Sequence, residues 1–151
     1  MNLGKECETI EFKESTSELK EGIRSIASML NKNQHCVLYF GVKDNGDAIG
    51  QQIGSNTLRD ISQGISTNIE PAVLPTITLL DGTKDNLKVI KIEVNGKDIP
   101  YSAYGQYLVR SADEDKKINR SALRSMFIDS GVDFLCLARI FLPLSHIGTT
   151  P

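Results

Sequence analysis

The sequence predicts an α+β domain with a mixed, largely antiparallel sheet and helices packed to one side. Three observations carry this expectation. Residues 37–42, Val-Leu-Tyr-Phe-Gly-Val, are an apolar run rich in β-branched and aromatic residues, and the run stops at the turn-forming Asp44-Asn45-Gly46-Asp47. Two segments with apolar residues at helical spacing, residues 17–30 and 58–69, alternate with strand-like stretches. The strands after residue 75 are joined by links too short for crossovers, so they are expected to pair as antiparallel neighbours.

Each element has a local justification. Thr9-Ile10-Glu11-Phe12-Lys13 alternates, with Ile10 and Phe12 on a core face and Glu11 and Lys13 on the other, as in a half-buried strand. Ser15-x-x-Glu18 has capping-box spacing and opens a helix over residues 17–30. Leu19, Ile23, Ile26 and Leu30 mark its buried face, and Asn31-Lys32-Asn33-Gln34 ends it. The central run then forms a buried strand. Asn45 and Gly46 tolerate positive φ, so the chain is expected to turn there into a hairpin whose return arm begins at Ala48-Ile49-Gly50.

Leu58, Ile61, Ile65 and Ile69 mark a second helix that closes before Pro71. Residues 76–80 and 87–94 read as a hairpin, Gln106-Tyr107-Leu108-Val109-Arg110 as a further short strand, and residues 113–117 as a solvated charge run. Asn119 or Ser121 caps a last helix through Leu123, Met126 and Phe127. The expected order is β-α-β-β-α-β-β-β-α. A domain is expected over residues 1–129, followed by a C-terminal tail over 130–151 that is either the start of a further region or a helix against the core.

Composition narrows the function classes. With 151 residues, 40% hydrophobic and 24% charged, the chain suits one globular domain with its own core. The net charge of −2 argues against a broad basic surface, so any contact with nucleic acid is local. Residues 1–70 hold 7 Lys/Arg against 10 Asp/Glu, whereas residues 71–151 hold 10 against 9. Cys7, Cys36 and Cys136 are odd in number and contain no C-x-x-C pair, which indicates neither a disulfide framework nor a zinc knuckle and fits a reducing, cytoplasmic setting. The N-terminal residues lack the apolar core of a signal peptide, and no apolar run reaches the roughly 18–20 residues of a membrane span, so no membrane partner is expected.

Gly41-x-x-x-x-Gly46 has the outer spacing of a P-loop, but Asp47 stands where the lysine must be, which excludes that route to ATP. His35 and His146 enter no nucleophile arrangement, and His35 cannot share a strand face with Cys36. Glu11-Phe12-Lys13 sets a carboxylate beside an ammonium. Metal-dependent nucleases use such an E-x-K pair, although alone it reads as an exposed ion pair. Glu6 lies five residues earlier and reaches the same place only if the chain bends near Cys7 and Glu8.

Taken together, Glu6-x-x-x-x-Glu11-Phe12-Lys13, the capped helix, Leu38-Tyr39-Phe40-Gly41-Val42-Lys43-Asp44-Asn45-Gly46 leading to Ile49-Gly50, Pro100-Tyr101 and Tyr107-Leu108-Val109-Arg110 resemble the Schlafen/AlbA-like domain over about residues 6–127. Prokaryotic members are commonly named transcriptional regulators or RecG-related helicase-like proteins, and the domain is described as DNA-binding. The resemblance therefore implies a nucleic-acid-binding regulatory domain, with DNA or RNA as partner and Lys13, Lys43, Tyr101, Tyr104, Tyr107, Arg110, Lys116, Lys117, Arg120 and Arg124 as candidate contacts. Homo-oligomers and a C-terminal effector region beyond this sequence are further implied partners. In animal Schlafen proteins the domain resembles a metal-dependent ribonuclease acting on structured RNA. Carried over by motif, that alternative makes Glu6, Glu11 and Asp44 the ligands of Mg²⁺ or Mn²⁺, with Lys13 assisting. The Gly-rich stretch that family members carry after the first helix is replaced here by Asn31-Lys32-Asn33-Gln34-His35-Cys36.

Overall fold

In the computed structural model, which describes residues 1–130, the chain runs through β1 (Ile10–Lys13), a 3-10 turn (Thr16–Glu18), α1 (Leu19–Asn33), β2 (His35–Phe40), α2 (Thr57–Asn68), β3 (Ile69–Glu70), β4 (Thr76–Asp81), β5 (Lys88–Asn95), β6 (Ser102–Ala103), β7 (Leu108–Ser111), β8 (Glu114–Lys117) and α3 (Arg120–Ser130). The fold class is α+β, as expected. By its contacts the chain divides into a unit of Met1–Ile118 and a second one from Asn119 onward. Apart from Ser130, the tail expected over 130–151 lies outside the described residues.

A four-stranded sheet in the order β1-β2-β5-β4 organises the first unit. β1 runs parallel to β2 with Ile10 opposite Val37 and Lys13 opposite Phe40. β2 and β5 are antiparallel, as are β5 and β4, the latter being the expected hairpin. Side-chain alternation then gives each face its own core. Leu38, Phe40, Ile90, Ile92 and Val94 meet Ile23, Ile26 and Leu30 of α1 and Ile61 and Ile65 of α2 on one face. Phe12, Val42, Ala48 and Val89 close the other face, with Leu3, Ile10, Tyr39 and Leu80 packed against them.

The helix boundaries follow from their caps. Ser15 Oγ accepts from the Ser17 amide at 3.1 Å, and the Glu18 carboxylate accepts from the Glu14 amide at 3.2 Å, so the capping residues are those expected, but they open α1 through a 3-10 turn. At the other end Gln34 adopts a left-handed conformation, and its amide donates to Leu30 O. Asn119 Oδ1 accepts from the Ala122 amide at 2.8 Å and is the cap of α3.

One expectation is corrected and another is extended. The turn after β2 is present, with the Gly46 amide donating to Lys43 O and Gly50 to Gly41 O, yet residues 48–50 do not form a return strand. The reason is topological: both edges of β2 are already paired, one with β1 and one with β5, so the arm has no edge to join. Residues 113–117 are all exposed, as a solvated charge run should be, but Glu114–Lys117 is in addition a strand, β8, antiparallel to β7. The short pair β3 and β6 was not legible in the sequence.

Candidate functional site

β1 is an edge strand, and what happens on its free side builds the site. The chain reverses just before it: Glu8 and Thr9 form a turn, and the Cys7 amide donates to Ile10 O at 3.0 Å. That bend, which the sequence required for convergence, brings Glu6 back beside the strand, where its Oε1 accepts from the Phe12 amide at 3.0 Å. An amide that an edge strand leaves open is thus satisfied by a side chain. The Glu6 carboxyl is held above its ordinary value, chiefly by burial, with the charges of Glu11 and Asp44 pushing the same way against the Phe12 amide and Arg110.

Glu11 is not the exposed partner of Lys13 that strand alternation suggests; it is 6% exposed. Two cations explain how a carboxylate stands there. Arg110, itself 2% exposed, reaches Glu11 Oε2 through Nη2, and Lys13 Nζ lies 3.2 Å from Oε1. The same guanidinium donates through Nη1 to Asp115 Oδ1 at 2.8 Å and through Nε to Cys7 O at 3.3 Å. Asp115 in turn accepts from Ser25 Oγ of α1 at 2.6 Å. Burial works to lower the Arg110 pKa, but the bonds to Asp115 and Glu11 outweigh it and the net direction is upward.

These side chains form one wall of a groove of about 450 Å³ between α1, β1 and the β7–β8 hairpin. Its lining carries four carboxylates, Glu11, Glu21, Asp113 and Asp115, and four cations, Lys13, Arg24, Arg110 and Lys117. Three of the carboxylates are paired: Glu11 and Asp115 as above, and Glu21 with Arg24 at 3.6 Å. The groove is therefore charge-balanced: the pairs that neutralise three of its acids also engage Lys13, Arg24 and Arg110, and Lys117 is exposed with no acid paired to it among the described residues.

The ten expected contact residues separate in the structure. Lys13 and Lys117 line the groove. Lys116 is exposed and pairs with Glu114 at 3.7 Å, and Lys43 is exposed on the turn after β2. Tyr107 is half-buried. Tyr101 is 1% exposed and its hydroxyl accepts from the Asp98 amide, so it cannot stack on a base. Arg110 is likewise a buried anchor and not a phosphate contact. Tyr104 already has Lys20 Nζ at 5.2 Å and Arg24 Cζ at 5.6 Å from its ring centre. Arg120 and Arg124 are exposed on α3, in the second unit. Sequence reasoning missed Arg24, Ser25 and Asp115. Arg24 was discoverable as a cation on the polar side of α1, whereas nothing local marks Asp115 as different from its neighbours in a charge run.

The acids expected to hold Mg²⁺ or Mn²⁺ do not fit that task as they stand. Such hard cations need several carboxylate oxygens facing one point. Here both Glu11 oxygens are engaged by cations, Glu6 Oε1 is bonded to an amide, and Asp44 is exposed on its turn. Among the described residues no group of three or more His, Cys, Asp or Glu side chains is placed to hold a metal ion.

The family model described as "Schlafen, AlbA_2" matches residues 6–119, which takes in β1, α1, the β2 turn, the sheet and the hairpin that carries Arg110. The chain belongs to the Schlafen AlbA_2 family. Among solved structures, this Schlafen AlbA_2 domain is similar to the DIP2311 protein from Corynebacterium diphtheriae, with 19% identity and a TM-score of 0.60. The match covers 79% of this chain and 28% of that one, so the domain spans less than a third of the protein it resembles, and the likeness is one of fold. No curated protein matches the chain. No helix among the described residues is long and apolar enough to cross a membrane.

Proposed function

We propose that the Schlafen AlbA_2 domain of this chain binds nucleic acid through the groove between α1, β1 and the β7–β8 hairpin, and that it serves a regulatory or helicase-related protein. One observation carries the reading: Lys13, Arg24 and Lys117 line one polar groove, where Lys13 and Arg24 are paired with Glu11 and Glu21 and Lys117 is exposed with no acid paired to it among the described residues. An acidic protein needs such a local arrangement to attract phosphates. Family membership supports the same class of ligand.

Fluorescence anisotropy with a labelled DNA duplex and a labelled RNA hairpin, at 50 and at 200 mM salt, tests it. Binding weakens as salt rises, and Lys117→Ala lowers the slope of log K against log salt by about one unit for each phosphate it no longer neutralises. Lys116→Ala is the control, since adjacent strand residues point to opposite faces and Lys116 does not line the groove. A salt slope near zero, or equal effects of the two variants, overturns the groove as the site. The alternative, Mn²⁺-dependent cleavage of structured RNA through Glu6, Glu11 and Asp44, makes a different demand: cleavage on a gel that Glu11→Ala and Asp44→Ala each abolish.

A further inference from the structure

Glu11 lies where the family pattern places a metal ligand, yet its surroundings are those of a structural acid. Its two oxygens are claimed by Arg110 and Lys13, and it is nearly sealed from solvent. Arg110 gathers groups that are far apart in sequence: the Cys7 carbonyl before β1, the Ile10 carbonyl and Glu11 carboxylate within β1, and Asp115 on β8. Asp115 extends the chain of contacts to Ser25 on α1. The guanidinium thus joins β1 directly to the β7–β8 hairpin, and Asp115 carries the link on to α1. Glu11 and Asp115 against Arg110 and Lys13 make two negative and two positive charges, so the cluster is neutral as it stands.

We infer that Glu11 is the anionic anchor of a rivet, Glu11–Arg110–Asp115–Ser25, built on the buried Glu11–Arg110 pair, which fixes the β7–β8 hairpin over α1 and β1, and that this chain engages its ligand without a divalent cation at Glu11. A cation approaching Glu11 meets Arg110 on Oε2 and Lys13 on Oε1, so it competes with both or sits close beside them. That leaves a buried guanidinium facing a second positive centre, an arrangement that desolvated charges oppose strongly. Arginine suits the anchor role because its planar fork serves two carboxylates and two carbonyls at once, which an ammonium cannot do.

The experiment uses the full chain and has three arms. In Mn²⁺ titrations followed by electron paramagnetic resonance, the wild type and Glu11→Gln deplete the free Mn²⁺ signal equally. Stoichiometric Mn²⁺ binding by the wild type that Glu11→Gln removes overturns the inference. In hydrogen exchange, Glu11→Gln and Arg110→Met each speed exchange at residues 108–117 by at least about tenfold, because each leaves an unpaired buried charge or a loosened hairpin. Arg110→Lys does not restore protection, whereas the double variant Glu11→Met with Arg110→Met restores part of it, since the buried acid and base leave together and only the partly exposed Asp115 and Lys13 lose a partner. Unchanged exchange at 108–117 in Glu11→Gln overturns the inference; if a single variant fails to fold, the double variant and the wild-type Mn²⁺ titration still decide it.

The third arm rests on the groove reading above: binding of the RNA hairpin is the same in EDTA as in Mn²⁺. Binding in neither condition removes the groove reading and leaves the first two arms standing. Binding that appears only with Mn²⁺ removes the inference.

Discussion

Asn31 ties α1 to two later segments through three buried hydrogen bonds, and replacing it by alanine removes all three at once. Its Nδ2 donates to Tyr101 O at 2.9 Å and to Leu108 O at 2.7 Å, while its Oδ1 accepts from the Tyr101 amide at 2.6 Å. The residue is 6% exposed, so water does not replace these partners. A buried backbone group left without a partner costs about 1–3 kcal/mol. Three such groups at one site are not additive, which sets the expected loss for Asn31→Ala at about 3–5 kcal/mol. That is a large share of the roughly 5–15 kcal/mol that holds a domain of this size together.

The isosteric change Asn31→Asp sharpens the test. It keeps an acceptor for the Tyr101 amide but aims carboxylate lone pairs at two carbonyls, so at pH 7 it is the more damaging of the two despite its nearly identical shape. Urea denaturation of the full chain reads both. With a slope of about 1–3 kcal/mol per molar, the Asn31→Ala midpoint falls by at least about 1 M. Acidification narrows the gap between the variants, because the carboxyl that Asn31→Asp introduces can donate to a carbonyl once it is protonated. A shift below about 0.3 M for Asn31→Ala, or Asn31→Asp more stable than Asn31→Ala at pH 7, refutes the hydrogen-bond argument.

Other expectations follow from single sites. Cys7 is exposed and its thiol lies below its ordinary pKa, because hydrogen bonds with Thr9 and Ile10 and the charge of Arg110 outweigh partial burial; Cys36 is sealed, and burial pushes it up to about 12. Alkylation at neutral pH, mapped by mass spectrometry, therefore labels Cys7 in the native protein and Cys36 only after unfolding; equal labelling of both in the native state contradicts this. Glu6 has a folded pKa above its unfolded value, so its contribution to stability is present below about pH 4.5 and is lost as pH rises through the folded value. Glu6→Gln keeps an acceptor for the Phe12 amide, and its stability relative to the wild type should improve as pH rises from 4.5 toward 7; a difference independent of pH removes the claim. Gly41→Ala puts a Cβ 2.9 Å from the Gly50 Cα at a φ of +89°, and thermal denaturation should show a loss of at least about 2 kcal/mol.

Histidine and cysteine placement shows what local periodicity can settle. His35 bonds Asn95 in solvent while Cys36 faces the core, as strand alternation requires. The same rule failed one strand away, at Glu11. It gives the side of the sheet a residue faces but not what later covers that side, and the cover here is Arg110, 99 residues further on. Tyr101 misled for a related reason. A tyrosine among the candidate contacts looks available for stacking until the core takes it in, and Tyr101 is a member of the buried cluster.

The amino-acid order alone determined the amphipathic faces of α1 and α2, the cap at Ser15 and the antiparallel pair β4 and β5, and it left the cap of α3 between Asn119 and Ser121. All of these depend on residues within a few turns or strand lengths of one another, where propensity and period act directly. Only the tertiary structure decided that β1 pairs with β2 in parallel, that residues 48–50 find no sheet edge, and that Glu11 is neutralised by an arginine from the far end of the domain. Those outcomes depend on which surfaces compete for the same space and which charges lose their water together, and no window of sequence contains both partners.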